Sequence, residues 1–307
     1  MDSVPLLEKK RGELVLVNKY YLLCTLLVAL ASGQGEADWL ENVRASQIAM
    51  KNVITVDAMG LQLVGEDGLH LTTNSQVRLG QSNMAGRGGV FNGVWDEYIP
   101  IECRSNNRIL RLNGDSKLEE AKEPLHEGID DVKKTCGVGP GMAFANAILK
   151  KDPNFGLIVL VPCAYGGTNI TDWSIPNSKV RSRLIARAND SLKYGGKIRA
   201  ILWYQGETDT RSEIAAKEFR GQYKKFLNRL YEELKNPKIP FIQVALASGQ
   251  GVKNYMHRVR AIQKTMENVV TVDAFGLQLG ADGMHLTTAS QVQLGKMIAN
   301  AFFNTTK

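Results

Sequence analysis

The strongest constraint on the fold is a long internal repeat that begins near the start of this 307-residue chain. Residues 32–63 align without gaps with residues 248–279 and are identical at 19 of 32 positions. After one inserted residue, Val64, residues 65–80 match residues 280–295 at 12 of 16 positions. Two copies so far apart do not form a solenoid, because solenoid repeats stack on their immediate neighbours.

The repeat predicts one domain at 80–307, preceded at 1–79 by a weakly or non-functionally packed partial copy of that domain's C-terminal segment. An apolar run at 20–31 follows several basic residues and resembles a secretory signal, but it is too short to span a bilayer. Its last part, 28–31, is repeated at 244–247, which favours a displaced core strand instead. The compartment stays open: the cytoplasm is favoured, and secretion through this run is the alternative.

Composition and charge exclude several classes of protein. Apolar residues make up 44% of the chain, enough for a packed core, and the net charge of +7 is spread thinly along the sequence. No basic cluster suggests binding to nucleic acid. The four cysteines show no metal-ligand or disulfide-framework spacing and are expected to be thiols or to form at most one or two bridges: Cys24, Cys103, Cys136 and Cys163.

Apolar β-rich runs alternate with amphipathic helical patterns in the second half of the chain. Strands are predicted at Leu157–Cys163, Ile198–Tyr204, Pro240–Ala247 and Val269–Ala274. Helices are predicted at Met142–Lys150, Lys179–Lys193, Ala215–Leu234, Tyr255–Met266 and Ala289–Phe303. This alternation indicates an α/β fold with a parallel sheet, in which ligands bind at the carboxyl ends of the strands.

Polar residues follow these predicted strands at the points where chemistry is expected. The segments are Gly80-Gln81-Ser82-Asn83-Met84, then Gly166-Gly167-Thr168 after the first apolar strand, Gln205-Gly206-Glu207-Thr208-Asp209 after the next, and Asp282-Gly283-Met284-His285 after the last. Each segment alone is also compatible with an ordinary turn.

Together the four segments supply the parts of an acyl-transfer site. An imidazole such as His285 can accept the proton of a Ser82 hydroxyl, and Asp282 can fix the imidazole tautomer. Backbone N–H groups and a side-chain amide can stabilise the tetrahedral oxyanion, and one such donor contributes about 3 kcal/mol.

In these four segments the chain resembles plant SGNH-hydrolase carbohydrate esterases, relatives of the sialic-acid O-acetylesterase domain and of acetylxylan esterases. The resemblance runs from about Gly80 to Phe303. It implies a three-layer α/β/α, flavodoxin-like fold with a parallel central sheet, and a triad of Ser82, Asp282 and His285. It also implies an oxyanion hole from the N–H of Ser82, the N–H of Gly166 or Gly167, and the side chain of Gln205.

The implied reaction is removal of O-acetyl groups from a sugar or polysaccharide through an acetyl-enzyme, with no metal or cofactor. Residues that could frame the substrate, or could equally be structural, are Asn83, Trp173, Glu207 and Asp209. His126 and His257 have no comparable partners nearby in sequence and are expected to be structural or solvent-facing.

One departure from the family pattern concerns the strand that should precede Gly80. Residues 72–79 come from the copied helical segment and offer only Val77 and Leu79 at alternating positions, so a weakened first strand is expected. The copied His70 is a poorer partner for Ser82 than His285 is. Only 11 residues separate His70 from Ser82, and they cannot form both a helix that descends along the sheet and a strand that returns. An active esterase and an impaired or inactive remnant of a tandem duplication are therefore both open.

Overall fold

The computed structural model describes residues 73–130, 134–251 and 253–305. All of them belong to one unit of the chain, residues 56–307. They form a mixed α/β domain built on a seven-stranded sheet. The apolar run at 20–31, Cys24 and His70 lie outside the described residues.

The sheet is parallel except at one edge. Its strands are β1 (Thr73–Gly80), β4 (Ile109–Leu112), β5 (Leu118–Glu120), β6 (Leu157–Pro162), β7 (Lys197–Tyr204), β8 (Phe241–Ala245) and β9 (Val270–Asp273), and a separate hairpin is formed by β2 (Val90–Phe91) and β3 (Val94–Trp95). The order across the sheet is β5-β4-β6-β1-β7-β8-β9, and only β5 runs antiparallel to its neighbour. The four strands predicted from apolar runs are all present.

The parallel strands lie on two sides of β1. The chain goes from β1 to one side of the sheet for β4 and β6, and then to the other side for β7, β8 and β9. The chain reverses its direction of travel across the sheet at β1, so a crevice opens at the carboxyl end of that strand. Every residue of β6 and β8 is buried, as their continuous apolar sequences require.

The helices fall into two packing groups. They are α1 (Ser82–Ala85), α2 (Pro140–Lys151), α3 (Ile170–Ser174), α4 (Lys179–Leu192), α5 (Glu213–Leu234), α6 (Lys253–Lys264) and α7 (Thr288–Thr305). Helix α2 packs on α7, whereas α5 packs on α3 and α6. Side-chain oxygens cap the N-termini of α3, α4 and α5: Asn169 accepts from the N–H of Asp172, Ser178 from that of Arg181, and Ser212 from that of Ala215. No helix in these described ranges is long and apolar enough to cross a membrane.

Strand β1 differs from the expectation of a weakened or missing first strand. Its backbone pairs in parallel with both β6 and β7, so it lies at the centre of the sheet. The matching copy, residues 286–295, instead leads into and begins helix α7. Residues 73–79 of the copied segment are thus part of β1 together with Gly80.

Gly80 ends β1 in a conformation that only glycine adopts easily. Its φ is +141°, and a Cβ built on it would lie 2.1 Å from the carbonyl oxygen of Tyr204. The N–H of the next residue, Gln81, donates to the same carbonyl oxygen over 2.9 Å. This close approach fixes the turn that presents Ser82.

Candidate active site

The predicted site residues meet at the carboxyl end of β1. An open cleft of about 990 Å³ lies there, and its lining includes Ser82, Gly166, Gly167, Asp282 and His285. These residues come from three separate turns, after β1, β6 and β9. The turns after β1 and β6 are neighbours because these two strands are adjacent, whereas the segment after the edge strand β9 reaches back across the sheet to Ser82.

Ser82, His285 and Asp282 form a continuous hydrogen-bonded chain. The Oγ of Ser82 lies 2.9 Å from Nε2 of His285. On the other side of the ring, Nδ1 of His285 lies 2.6 Å from Oδ2 of Asp282. With a carboxylate at Nδ1, the neutral imidazole carries its proton there, which leaves Nε2 to accept the proton of the serine hydroxyl.

Asp282 is kept as an anion by the turn that carries it. Burial alone would raise the pKa of Asp282, but hydrogen bonds from the N–H groups of His285 and Met284, together with the imidazole, outweigh it and lower that pKa below its ordinary value. Both N–H groups donate to Oδ1 over 2.9 Å. The three-residue spacing thus lets one carboxylate hold both the backbone and the ring of His285.

Asn83 connects the turn that carries Ser82 to the turn that carries His285. Its Oδ1 accepts from the N–H of Leu286 over 2.9 Å, and its Nδ2 donates to the carbonyl oxygen of Met284 over 3.3 Å. These two residues flank His285, and Asn83 itself follows Ser82. The side chain of Asn83, for which a substrate-framing role was expected, is fully buried and is not part of the cleft lining.

Glu207 is buried behind Asn83 and also does not frame the cleft. Its Oε1 accepts from Nδ2 of Asn83 over 2.9 Å. Burial raises the pKa of Glu207 to about 7, against the opposing effect of the Asn83 hydrogen bond. This carboxyl group thus orients the Asn83 side chain that links the two turns.

The two glycines of the turn after β6 have different environments. The N–H of Gly166 donates to Oδ1 of Asp130 over 3.0 Å. The N–H of Gly167 makes no hydrogen bond to any described residue, and neither does the N–H of Ser82. Gly167 also has a φ of +78°, a conformation that favours glycine.

Gln205 is not placed at the cleft, in contrast to its expected role in the oxyanion hole. Its Nε2 donates to Oδ2 of Asp209 over 2.6 Å and to the carbonyl oxygen of Thr168 over 3.3 Å, so both amide protons are engaged. The side chain is fully buried and is not part of the cleft lining.

Asp209 and Trp173, for which a substrate-framing role was also expected, are buried beside the cleft-forming turns. The carboxylate of Asp209 accepts from the N–H of Ile170, and burial raises the pKa of Asp209 to about 7. Trp173 is fully buried, donates through Nε1 to Oγ1 of Thr168 over 3.0 Å and packs edge-on against Trp203. Neither side chain lines the cleft.

Several cleft residues were missed by the sequence analysis. Arg87, Lys134 and Gln250 line the cleft, and Gln250 lies at the start of the repeated segment, which is the one sequence feature that could have drawn attention to it. His126 is buried and His257 is exposed on α6, and neither lines the cleft. In the part of the chain that the structure describes, no group of three or more His, Cys, Asp or Glu side chains could hold a metal ion.

Comparisons with known proteins place the chain in one family. The family model described as carbohydrate esterase, sialic acid-specific acetylesterase, matches the chain twice, at residues 15–81 and 77–304. A probable carbohydrate esterase of Arabidopsis thaliana is 47% identical over 234 residues, which are 73% of this chain and 88% of that protein. The double match agrees with the internal repeat.

Solved structures agree with the assignment. An X-ray structure of an Arabidopsis thaliana protein matches with a TM-score of 0.71 at 46% identity, over 75% of this chain and 98% of that one. A carbohydrate acetylesterase from Xanthomonas citri matches with a TM-score of 0.51 at 18% identity, over 74% of this chain and 55% of that one, a likeness of fold alone. The chain therefore belongs to the carbohydrate esterase family of the sialic acid-specific acetylesterases.

Proposed function

We propose that the chain is a serine esterase that removes O-acetyl groups from a carbohydrate through an acetyl-enzyme. The observation that carries this proposal is the contact of 2.9 Å between Oγ of Ser82 and Nε2 of His285, with Asp282 at 2.6 Å on the far side of the ring. A hydroxyl becomes an effective nucleophile when a positioned base takes its proton.

In the proposed cycle, Oγ of Ser82 attacks the acetyl carbonyl carbon while its proton moves to Nε2 of His285. The imidazolium then gives that proton to the sugar oxygen as the ester bond breaks, which leaves the acetyl group on Ser82. Water attacks the acetyl-enzyme with His285 as the base, and acetate leaves as the serine oxygen regains its proton. The carboxylate of Asp282 stabilises the charged imidazole in both halves of the cycle.

The oxyanion formed in each half-reaction needs hydrogen-bond donors that have no other partner. The N–H groups of Ser82 and Gly167 meet this requirement among the described residues, whereas the N–H of Gly166 is held by Asp130. We assign the hole to Ser82 and Gly167 and leave Gln205 out of it, because its amide protons are already engaged.

We also propose that the sheet is covered on both faces in three layers, as the two separate helix groups favour.

The alternative is an impaired or inactive remnant of a duplication in which residues 1–79 are a partial copy of the domain's end. It is favoured by one observation, that β1 is formed by a segment whose second copy begins a helix. The assembled Ser82–His285–Asp282 chain favours the active enzyme over this alternative.

Hydrolysis of p-nitrophenyl acetate by the purified full chain distinguishes an active esterase from an inactive remnant. Activity is expected in the wild type, and loss of it is expected in Ser82→Ala and His285→Ala. His70→Ala is the matched control, because it removes the copied histidine and is expected to leave the rate unchanged. Loss of activity in the His70 variant alone would overturn the assignment of His285.

A further inference from the structure

The rim of the cleft carries exposed aromatic side chains that the proposed chemistry at Ser82 does not use. Phe91 is 64% exposed and Tyr98 is 63% exposed, and both line the cleft that contains Ser82. Exposed apolar side chains that gather beside a groove mark a binding surface more often than single scattered ones do.

The hairpin that holds Phe91 is fixed to the body of the domain. At its base, Gly88 and Val138 exchange two backbone hydrogen bonds of 2.9 Å. At its turn, the hydroxyl of Thr135 donates to the carbonyl oxygen of Gly93. Phe91 is therefore presented at a defined place, so that little ordering of the hairpin is needed when a ligand binds.

Tyr98 is held by a short turn that follows the hairpin. Its N–H donates to Oδ1 of Asp96 over 3.0 Å, and the N–H of Asp96 donates to the carbonyl oxygen of Gly89 over 3.0 Å. Two aromatic side chains thus line the same cleft on hydrogen-bonded backbone segments. Aromatic rings pack against the apolar C–H face of a sugar ring and gain from burial there.

The cleft is larger than the reaction at one acetyl group requires. Its volume of about 990 Å³ is at the upper end of the range for small-molecule sites, which is about 300 to 1,000 Å³. The lining extends from Ser82 to the hairpin residues Phe91 and Asn92, so the cleft offers space beyond the reacting hydroxyl.

The charges of the cleft do not favour an anionic ligand. Arg87 donates through Nη2 to Asp130 over 2.6 Å and through Nη1 to the carbonyl oxygen of Gly86, so its guanidinium is already neutralised. The cation of Lys134 donates to the carbonyl oxygen of Gly166, and the carboxylates of Asp96 and Asp282 lie in the same lining. The two cations of the lining, Arg87 and Lys134, are thus matched by two carboxylates, whereas a site for a carboxylated sugar would carry an excess of positive charge.

We propose that Phe91 and Tyr98 form subsites for a neutral oligosaccharide chain, so that the enzyme deacetylates extended glycans better than single sugars. This inference rests on the proposed esterase function of the same cleft. Each aromatic contact of this kind is expected to contribute up to about tenfold in affinity or in kcat/KM.

The test compares O-acetylated xylo-oligosaccharides of increasing length with p-nitrophenyl acetate. In the wild type, kcat/KM is expected to rise by at least about tenfold from the monomer to the longer chains. The double variant Phe91→Ala/Tyr98→Ala is expected to lose this rise and to keep its rate on p-nitrophenyl acetate. Val94→Ala is the matched control, since Val94 is 69% exposed on the same hairpin but does not line the cleft.

Four results would overturn the inference while leaving the esterase function intact. They are activity without dependence on chain length, a length dependence that survives in the double variant, an equal loss in Val94→Ala, and a preference for acetylated galacturonate oligomers of equal length. A change in sedimentation mass caused by the double substitution would assign the aromatic rim to self-association instead.

Failure of the proposed function gives a different pattern. If the wild type does not hydrolyse p-nitrophenyl acetate, the subsites are tested by calorimetry with deacetylated xylohexaose and the Ser82→Ala protein. Binding that is weakened about tenfold or more by the aromatic substitutions supports the subsites, and absence of binding rejects them.

Discussion

Replacement of Glu207 by glutamine is expected to make the protein more stable at neutral and alkaline pH. The glutamine oxygen can still accept the hydrogen bond that Oε1 of Glu207 receives from Asn83. Its NH2 group would occupy the place of Oε2, which is buried without a hydrogen-bond partner. A protonated Glu207 also has a hydroxyl to place there, so the variant imitates the protonated wild type at every pH.

The magnitude follows from the pKa of Glu207, which burial raises from 4.5 to about 7. Because the folded protein binds this proton more tightly than the unfolded chain, the group's contribution to stability is fully present below pH 4.5. It is lost progressively as the pH rises toward 7. Between pH 5 and pH 8 the wild type should lose about 2.5 kcal/mol through this group, at 1.36 kcal/mol for each unit of pKa.

Urea unfolding of both proteins from pH 5 to pH 8 measures this effect. The free energies of unfolding are expected to be similar at pH 5 and to diverge in favour of Glu207→Gln as the pH rises. Asp209, whose pKa burial also raises to about 7, is present in both proteins, so its own loss largely cancels in the comparison. Glu218→Gln, at an exposed position of α5, is expected to run parallel to the wild type. A difference between Glu207→Gln and wild type that is constant with pH would refute the reasoning.

Three further substitutions test the residues that position Ser82 and His285. Asn83→Leu takes the Asn83 hydrogen bond away from the N–H of Leu286 and from Oε1 of Glu207 and should lower the unfolding free energy by about 2 to 4 kcal/mol, with a fall in kcat rather than a rise in KM; an unchanged urea midpoint would contradict this. Gly80→Ala places a methyl group against the Tyr204 carbonyl oxygen and should cost at least about 3 kcal/mol, seen as lost soluble yield or a lower melting temperature. Asp282→Asn should reduce kcat by about 10⁴ with the fold retained by circular dichroism, because His285 loses the carboxylate that fixes its tautomer; a loss below tenfold would exclude that role.

Four of the strands and the pairing of Asp282 with His285 could be predicted because their sequence patterns are local. Continuous apolar runs such as Leu157–Pro162 are buried on both faces, so composition alone marks them. The spacing of Asp282 and His285 is also a local property, since one turn carries both. Parallel strands then bring such turns to one edge of the sheet without further information.

Strand β1 could not be predicted, because its conformation depends on its neighbours. Residues 73–80 and 288–295 have nearly the same sequence, yet the first segment forms the central strand and the second begins a helix. Hydrogen bonds from β6 on one side and β7 on the other stabilise the strand form in the first copy. Tertiary contacts thus override a weak local preference.

The roles of the buried polar residues were also beyond a sequence argument. Asn83 and Glu207 look like substrate ligands in a sequence because they stand beside the nucleophile and after a buried strand. Their direction is set by partners more than a hundred residues away, such as Leu286 for Asn83. Likewise, the choice between Gly166 and Gly167 depends on Asp130, which no motif links to them.

The central claim is that Ser82 carries the acetyl group during catalysis. Rapid-quench mass spectrometry of the protein mixed with p-nitrophenyl acetate tests this directly. We predict a burst of p-nitrophenol close to one per protein molecule, and an acetyl group on the peptide that contains Ser82. Neither should occur in Ser82→Ala. Release of p-nitrophenol at the wild-type rate by Ser82→Ala, or an acetyl group found only on another residue, would contradict the account.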